Sequence, residues 1–588
     1  MKRHSEKYYY LYLIGIIAAT IIIYTPSISN SFVWDDNSLI RDNAALRAPS
    51  PLFLFKQPFW TPSMSQDNPY YRPISLLWFW IGYKIWKISP FWYRIENLAV
   101  YILFIVLLYL FLRNKVNDFA ALTGTAIFAF HPVHIENVAF VSGITDLSAG
   151  LFLIAGFLAH FSDKKFFRYA LSPIFYLLAM LSKEIAVVGI AAIIIHDWIF
   201  KKNRFKKFFI DWALWSAMVP VYLFMRNSAL GYILKSSGKQ APIFLKLLFA
   251  PYLLIRYIQN SILPLDIKPY HPEKLAQMST IVGIISSVAI IFLVFISIKI
   301  LKKEKIIIFG LLWFLLFLFP VLGIVDISSA LWAERFLFIP SVGFVIVAGL
   351  LFEKFSSIKD RRIGKLPAIL LSGYLLFLTL ISFTYSIYWR NDWILSRQMV
   401  DTAPDIPIGY AGLAYQFISI GEVDSAFYYS KKALELDSTY FTALNIFAGT
   451  YLERGEIDSA IFYLKKVISH YPNYVYGYSN MGKCLVEKGD TVLGVKYFEK
   501  AVSIAPQDAQ ANLNCGLGLI MLGDTLNGIE LLRRACIYYP EGIDAPVALA
   551  DLYISMGDTI KARRVIEKYP QIKIFYSTAD TVFRRGKN

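Results

Sequence analysis

Long apolar runs alternate with short polar stretches over the first 400 residues, and the pattern then changes character. A helix that crosses a bilayer needs about 20 mostly apolar residues. Runs of that kind are read at 9–26, 96–112, 119–137, 144–161, 169–182, 185–200, 208–225, 281–300, 306–325, 336–352 and 367–388, about eleven spans in all. Basic residues cluster at Lys2/Arg3, Arg113/Lys115, Lys164/Lys165/Arg168, Lys201–Lys207, Lys302–Lys305 and Lys359–Lys365. These clusters fall at every second loop, which by the positive-inside rule marks the cytoplasmic side. A cytoplasmic N-terminus then places three segments outside: residues 27–95, residues 226–280 and everything after Arg390. Within the first, Ile74–Trp86 is interrupted by Tyr83 and Lys84 and reads as an interfacial helix. Within the second, Phe244–Leu263 must be re-entrant or interfacial for the parity to hold. The opening MKRHSEK and its apolar run have no small-residue cleavage site after them, so they read as an uncleaved first span.

The last third carries a different periodicity. Gly421, Gly455, Gly489, Gly523 and Gly557 are 34 residues apart. Seven residues before each stands a small residue (Ala414, Ala448, Gly482, Gly516, Ala550), and five after each stands another (Ala426, Ala460, Gly494, Gly528, Ala562). Small residues at these phases let two antiparallel helices approach closely, with the glycine at the turn between them. Period, pattern and the closing prolines Pro472, Pro506 and Pro540 are those of the tetratricopeptide repeat. Five repeats over 405–570 predict an α-solenoid with a concave binding surface, followed by a tail at 571–588. The fold expected is all-α: a polytopic membrane module over 1–395, then the repeat array.

Composition agrees with this division and moves the charge. The chain has 588 residues, 56% of them apolar and 17% charged, against about 25% charged in an ordinary soluble domain. A uniformly soluble globule and a disordered chain are both excluded. The net charge of +17 sits in the first 400 residues (about +19), while 401–588 carries about −2. The excess is therefore the mark of cytoplasmic loops, and nucleic-acid binding has no support. Three cysteines without CxxC or Cys/His spacing give neither a disulfide framework nor a zinc site.

Charged residues at membrane depth are costly and are functional candidates by default. Here they gather at outer ends of spans: Asp35 and Asp36; Arg72; His131, His134 and Glu136; Asp146; Lys183 and Glu184; Asp326; Glu334 and Arg335. Each has a plainer reading. Asp35-Asp36 fits a helix N-cap, Arg72 a headgroup anchor, His131-Pro-Val-His134 a turn with satisfied histidines, and Lys183-Glu184 a local ion pair. Acids and bases from five separated segments on one membrane face point instead to an active site. No metal-ligand set is apparent.

In this order, Phe-Val-Trp-Asp35-Asp36, Tyr-Arg72-Pro, Phe-His131-Pro-Val-His134-Ile-Glu136, Gly-Ile-Thr-Asp146-Leu, Leu-Ser-Lys183-Glu184 and Ala-Glu334-Arg335-Phe-Leu-Phe-Ile-Pro-Ser, the motifs resemble those of the transmembrane and tetratricopeptide repeat (TMTC-like) O-mannosyltransferases and their bacterial relatives. The resemblance runs over nearly the whole chain. One departure is Gly143-Ile-Thr-Asp146, where the family usually has Gly-Arg-Ala-Asp.

The resemblance implies a glycosyltransferase of the C-type (GT-C) membrane fold that draws on a polyprenyl-phosphate-linked sugar and carries its acidic motif in the first outer loop. Asp35 or Asp36, the second slightly preferred, would be the catalytic base. Arg72, Lys183 and Arg335 would clamp the donor phosphate, and His131, His134, Glu136, Asp146, Glu184 and Glu334 would orient the sugar or these cations. No cofactor is required, and a divalent cation has no support in the sequence. The repeats would receive an acceptor, protein or glycan, on the extracytoplasmic (periplasmic) side, and the aromatic outer loops would contact membrane lipid. Two other readings stand beside this one: an envelope glycan polymerase, ligase or oligosaccharyltransferase using a pyrophosphate-linked glycan, and a noncatalytic membrane-anchored scaffold. A transporter fits less well, because the polar residues lie at one face instead of the midplane.

Overall fold

The computed structural model describes residues 2–60, 70–201, 209–233, 242–271, 278–301, 304–324, 331–358 and 365–576, and the side chains within them apart from 2–7 and 293–301. The basic clusters at 202–207, 302–303 and 359–364, Asp326 and the tail after 576 lie outside the described residues. Those residues form helices and turns, with no strand among them. They divide into two compact units, one of residues 1–36, 54–58 and 69–403, the other of 37–53, 59–68 and 404–588.

The first unit is built from α1 (Lys2–Ile28), α2 (Pro73–Trp86), α3 (Pro90–Arg113), α4 (Asp118–Phe130), α5 (Ile135–Ala139), α6 (Ile144–His160), α7 (Ser172–Ser182) and α8 (Gly189–Phe200). It continues with α9 (Phe209–Leu230), α10 (Ile243–Ile262), α11 (Thr280–Leu301), α12 (Lys305–Leu318), α13 (Ser341–Ser356), α14 (Leu366–Ser386) and α15 (Asp392–Thr402). Four described stretches are long and apolar enough to cross a bilayer: Tyr8–Ile28, Pro90–Arg113, Val141–His160 and Leu366–Trp389. Asp118–Phe130, Phe167–Ser182, Thr280–Phe292 and Lys305–Val321 are apolar but shorter. The unit has the helices of a membrane protein, with fewer full-length spans among the described residues than the pattern of apolar runs predicts.

The shortfall has local causes. Pro132 forces His131 into an extended conformation (φ −73°, ψ 126°), so the span read at 119–137 stops at Phe130 and breaks into turns. Residue Lys183 is likewise extended, Glu184–Val188 forms a 3₁₀ turn, and α8 holds only 12 residues. Twelve residues rise about 18 Å, well short of a hydrocarbon core of about 30 Å. The run at 336–352 starts as a 3₁₀ turn, and α13 begins only after Pro340. All three breaks carry polar residues of the outer-face motifs.

Between the breaks the core is aromatic. Phe104 lies 4.8 Å from Phe338 and 5.0 Å from Phe128 (ring centroids), and all three are buried. Helices α12 and α13 touch backbone to backbone at Gly310 and Gly343, where a Cβ on Gly343 would stand 2.2 Å from the Gly310 carbonyl oxygen. Such small-residue contacts let helices pack where lipid supplies no hydrophobic drive between them. Helix α10 buries Phe249, Leu253 and Tyr257 and exposes Ile243, Phe244 and Leu247.

The second unit stacks five helix pairs: Pro407–Ser419 with Val423–Leu436, Phe441–Glu453 with Ile457–His470, Val475–Glu487 with Thr491–Ile504, Ala509–Met521 with Thr525–Tyr538, and Asp544–Ser555 with Thr559–Lys568. Ala414, Ala426, Ala448, Ala460, Ala550 and Ala562 are fully buried where the paired helices meet. Each 34-spaced glycine has φ between +75° and +93°. At Gly455 the turn closes as a Schellman motif, the Gly455 N–H donating to Leu452 O (2.9 Å) and the Glu456 N–H to Tyr451 O (2.8 Å). In three repeats the next residue is Asp490, Asp524 or Asp558, whose carboxylate accepts a backbone N–H and caps the second helix. The unit also takes in Asn37–Phe53 of the first outer loop. There Arg47, almost wholly buried, donates to the carbonyls of Ile40, Asn43 and Arg41 and pairs with Glu541 at 3.2 Å.

Since nothing lies within 4 Å of a Cβ built on Gly489 and only its φ of +93° resists a side chain, Gly489→Ala costs about 1 kcal/mol of repeat-unit stability. A lower urea midpoint for that unit in the full chain, with Gly489→Asn less affected than the alanine variant, checks this.

Candidate functional site

Every described polar residue singled out in the first unit lies at a break or end of a helix, and most are held by a residue far away in sequence. Beyond α1 the chain turns at Trp34, which has φ +48°, a left-handed conformation costing a non-glycine residue about 1 kcal/mol or more. The Trp34 N–H donates to Asp392 Oδ1 at 2.7 Å, and its indole stacks on Phe140 at 6.4 Å.

The two acids that follow have opposite surroundings. Asp36 is fully buried and accepts from Ser142 N (2.9 Å), Ser142 Oγ (2.8 Å), Val141 N (3.4 Å) and Val33 N (3.4 Å). The guanidinium of Arg94 stands 4.0 Å away and donates to the carbonyls of Asn30 and Ser31. The turn that supplies Ser142 closes only because residue 143 is glycine, since a Cβ there would stand 2.2 Å from Asn137 O. Asp35 is half-buried and makes no hydrogen bond or ion pair among the described residues. Burial pushes its carboxyl up to about 7, Arg335 pulls it down, and Asp36 and Glu136 push it up further. Burial also raises Asp36, to about 6, against Arg94 and the Ser142 hydrogen bonds.

The three cations expected at a phosphate are each matched to one carboxylate. Arg72, just before α2, forms two parallel bonds with Glu184 (Nε–Oε2 2.9 Å, Nη2–Oε1 2.5 Å) and lies over the Tyr70 ring at 4.4 Å. Lys183 Nζ meets both oxygens of Asp146, at 2.6 and 2.7 Å. Arg335 pairs with Glu136. Lys183 and Glu184 thus serve separate pairs, joining α7 to α6 and to the residue before α2, and are not one local pair. Glu334 is held by His271, whose Nε2 stands 2.7 Å from Oε1. A cleft beside these groups is lined by Glu136, Glu334, Lys268, Tyr385, Tyr388 and Trp389.

The two histidines of the third motif stand apart from this set. His131 Nε2 bonds Ser261 O at 3.0 Å while its Nδ1 accepts from Val133 N at 3.4 Å. His134 is fully buried, stacked on Phe128 at 4.1 Å, with Ser341 Oγ 3.4 Å from Nε2. Both belong to the packing under the site. Arg94, Ser142, Tyr70, His271 and Asp392 were not among the residues read from the sequence. Arg94 carries the one signal that marks it, a charge at the start of an apolar helix; the others are ordinary polar residues of turns and helix ends until the fold pairs them.

A second buried polar group lies at the far end of α6, 14 residues and about 21 Å along the helix from Asp146. His160, His196 and Asp197 offer metal-ligand atoms within 4.8 Å of one another. Lys115 Nζ, however, is 2.6 Å from His196 Nε2, and Lys201 Nζ is 3.6 Å from Asp197 Oδ1. Asp197 also accepts from Trp212 at 3.1 Å. Lys201 answers the carboxylate and Lys115 stands on the His196 ring nitrogen that a metal would need, so the group fits a charge-balanced tie between α6, α8 and α9 better than a cation site.

Comparison with known proteins agrees with both units. The tetratricopeptide repeat family matches residues 448–474 and 475–508. Protein O-mannosyl-transferase F38B6.6 of Caenorhabditis elegans is 24% identical over 409 residues, 67% of this chain and 58% of the relative. Human protein O-mannosyl-transferase TMTC3 is 33% identical over 196 residues (31% of this chain, 21% of the relative), and human TMTC1 is 27% identical over 209 residues (32% and 24%). The matches thus span from about a fifth to just under three-fifths of these relatives. Among solved structures, a thermophilic TPR protein of Thermus thermophilus aligns at 24% identity over 29% of this chain and 98% of its own, with a TM-score of 0.27. With an acidic pair after the first helix, a set of carboxylate-matched cations at the helix breaks and five tetratricopeptide repeats, the chain is similar over its membrane-type helices and repeats to proteins named as TMTC protein O-mannosyl-transferases.

Proposed function

We propose that the protein is an integral-membrane inverting glycosyltransferase that moves a sugar, mannose by analogy with the relatives' names, from a polyprenyl-phosphate carrier to a Ser or Thr hydroxyl of an extracytoplasmic protein. The observation that carries this reading is the unequal fate of two adjacent acids. Asp36 is consumed by four hydrogen bonds and a neighbouring arginine, whereas Asp35 is half-buried, unpaired and close enough to Arg335 to feel its charge. The geometry therefore favours Asp35 as the base and Asp36 as the anchor of its loop, reversing the slight preference for Asp36.

In this reaction the Asp35 carboxylate takes the proton of the acceptor hydroxyl as its oxygen bonds to the anomeric carbon. The bond from that carbon to the phosphate oxygen breaks on the opposite side, which inverts the centre, and polyprenyl phosphate leaves with one more negative charge. Arg72, Lys183 and Arg335 are the groups suited to that charge, Arg72 and Arg335 through two-point geometry. Glu184, Asp146 and Glu136 hold them in place before the donor arrives. Glu136, Glu334 and the tyrosines 385 and 388 line one small cleft beside these groups and are polar groups that could meet sugar hydroxyls at its mouth. The repeat array takes the acceptor polypeptide, as such superhelices bind extended partners. With its N-terminus in the cytoplasm the chain presents both functions outside.

Replacing the base removes a contribution of about 10²–10⁴ in rate. Asp35→Asn is therefore expected to lower transfer from polyprenyl-phosphate mannose at least a hundredfold at unchanged thermal stability. Asp36→Asn leaves Arg94 without its buried counter-charge and costs about 3 kcal/mol of stability, with activity per folded molecule reduced less. Membrane transfer assays and thermal melts of the two variants decide it, and full activity in Asp35→Asn overturns the assignment.

A base must be ionised to act, so kcat/KM rises with pH through about 7, the value of Asp35 in the folded protein. The unfolded carboxyl titrates near 4. Because folding raises the value, the protonated form contributes stability that is fully present below about pH 4 and is lost as pH rises through about 7. A pH–rate profile that is flat between pH 5 and 8 would contradict the environment described for Asp35.

A further inference from the structure

The stretch that presents Asp35 is fastened to the chain leaving the last long apolar helix. Asn30 Nδ2 donates to Ser386 O at 3.3 Å, Ser31 N to Arg390 O at 2.8 Å and Trp34 N to Asp392 Oδ1 at 2.7 Å. The side chains continue the seam: Trp34 stacks on Phe140, and Phe140 packs against Trp389 at 5.0 Å. Of these contacts the last backbone bond is made by a carboxylate, and it falls on the one residue of the stretch with positive φ.

That conformation does something specific. Asp35 and Asp36 open the helical turn that runs on into Asn37–Arg41, where successive side chains leave about 100° apart, and one acid reaches inward to Ser142 and Arg94 while its neighbour stays half-buried at the site. The left-handed turn at Trp34, immediately before the pair, sets the direction in which each carboxylate leaves the backbone. Tryptophan has no intrinsic preference for it, so the surroundings must hold it there. The charge-assisted bond from the Trp34 amide to Asp392 Oδ1 is a hold of this kind. The cap of α15 comes from Asn391, which accepts from Ile394 N at 2.9 Å.

We infer that Asp392 is a positioning residue for the proposed transfer: by gripping the Trp34 amide it keeps the left-handed turn that directs Asp35 into the site and Asp36 away from it. The inference rests on the reading of Asp35 as the base. It predicts a particular kinetic signature, because donor binding is assigned to Arg72, Lys183 and Arg335, whereas proton transfer depends on the direction of Asp35.

The test measures release of polyprenyl phosphate from polyprenyl-phosphate mannose by the full-length protein in membranes, with a Ser/Thr-rich peptide as acceptor. Asp392→Ala is expected to lower kcat at least tenfold with donor KM within twofold of wild type. Asp392→Asn, whose amide oxygen still accepts from the Trp34 N–H, should recover most of that loss. Thermal melts of each variant separate positioning from folding, and a fall in kcat that merely follows the folded fraction overturns the inference. So does wild-type kcat in Asp392→Ala, or an equal loss in the alanine and asparagine variants. If Asp35→Asn itself turns over donor like wild type, the base assignment fails and this inference with it; an inactive Asp35→Asn beside a fully active Asp392→Ala defeats this inference alone.

Discussion

The constraint on which the first unit depends is the cost of taking charge out of water. An ion left alone in a low-dielectric interior is destabilised by several kcal/mol even after relaxation, so a carboxylate or ammonium in such a place needs a counter-charge and hydrogen bonds. The protein answers with one-to-one matching: Arg72 with Glu184, Lys183 with Asp146, Arg335 with Glu136, His271 with Glu334, and Arg94 with Asp36. Because each partner comes from a different part of the chain, the pairs also tie helix breaks together. A site assembled in this way is organised before any ligand enters, which is the condition for electrostatic catalysis without reorganisation at the moment of reaction.

Against that rule Asp35 is the exception. It has no partner among the described residues, and its raised value reflects incomplete compensation by Arg335 against burial and two neighbouring acids. An uncompensated group in an otherwise balanced cluster is the kind of local expense that marks function. The backbone beside it shows the same mark, a tryptophan held at positive φ by an aspartate more than 350 residues away.

The repeat unit obeys a different physics. Its stability is nearly local: small residues let paired helices approach, a glycine with positive φ turns the chain, and each pair buries its apolar face on the next. Such an array reads directly from its period, since every requirement lies within 34 residues. What the period does not reveal is Asn37–Phe53, a segment of the first outer loop that clusters with the repeats through Arg47 and Glu541.

The same division runs through the whole protein. Sequence alone determined the features with a local cause: apolar runs long enough for membrane helices, the 34-residue glycine spacing, and the charged residues set among apolar ones. It also identified most members of the cluster, because a charge in an apolar run is conspicuous wherever it falls. Only tertiary structure decided their partners, since Lys183 and Glu184 are adjacent yet serve Asp146 and Arg72, 37 and 112 residues away. It likewise gave His131 and His134 backbone and aromatic partners, and it shortened three apolar runs at Pro132, Lys183 and Pro340. Asp35 and Asp36 are the clearest case. As neighbours of the same type they are equivalent in sequence, and only the three-dimensional supply of donors from Ser142, Val141, Val33 and Arg94 makes one an anchor and leaves the other free to act.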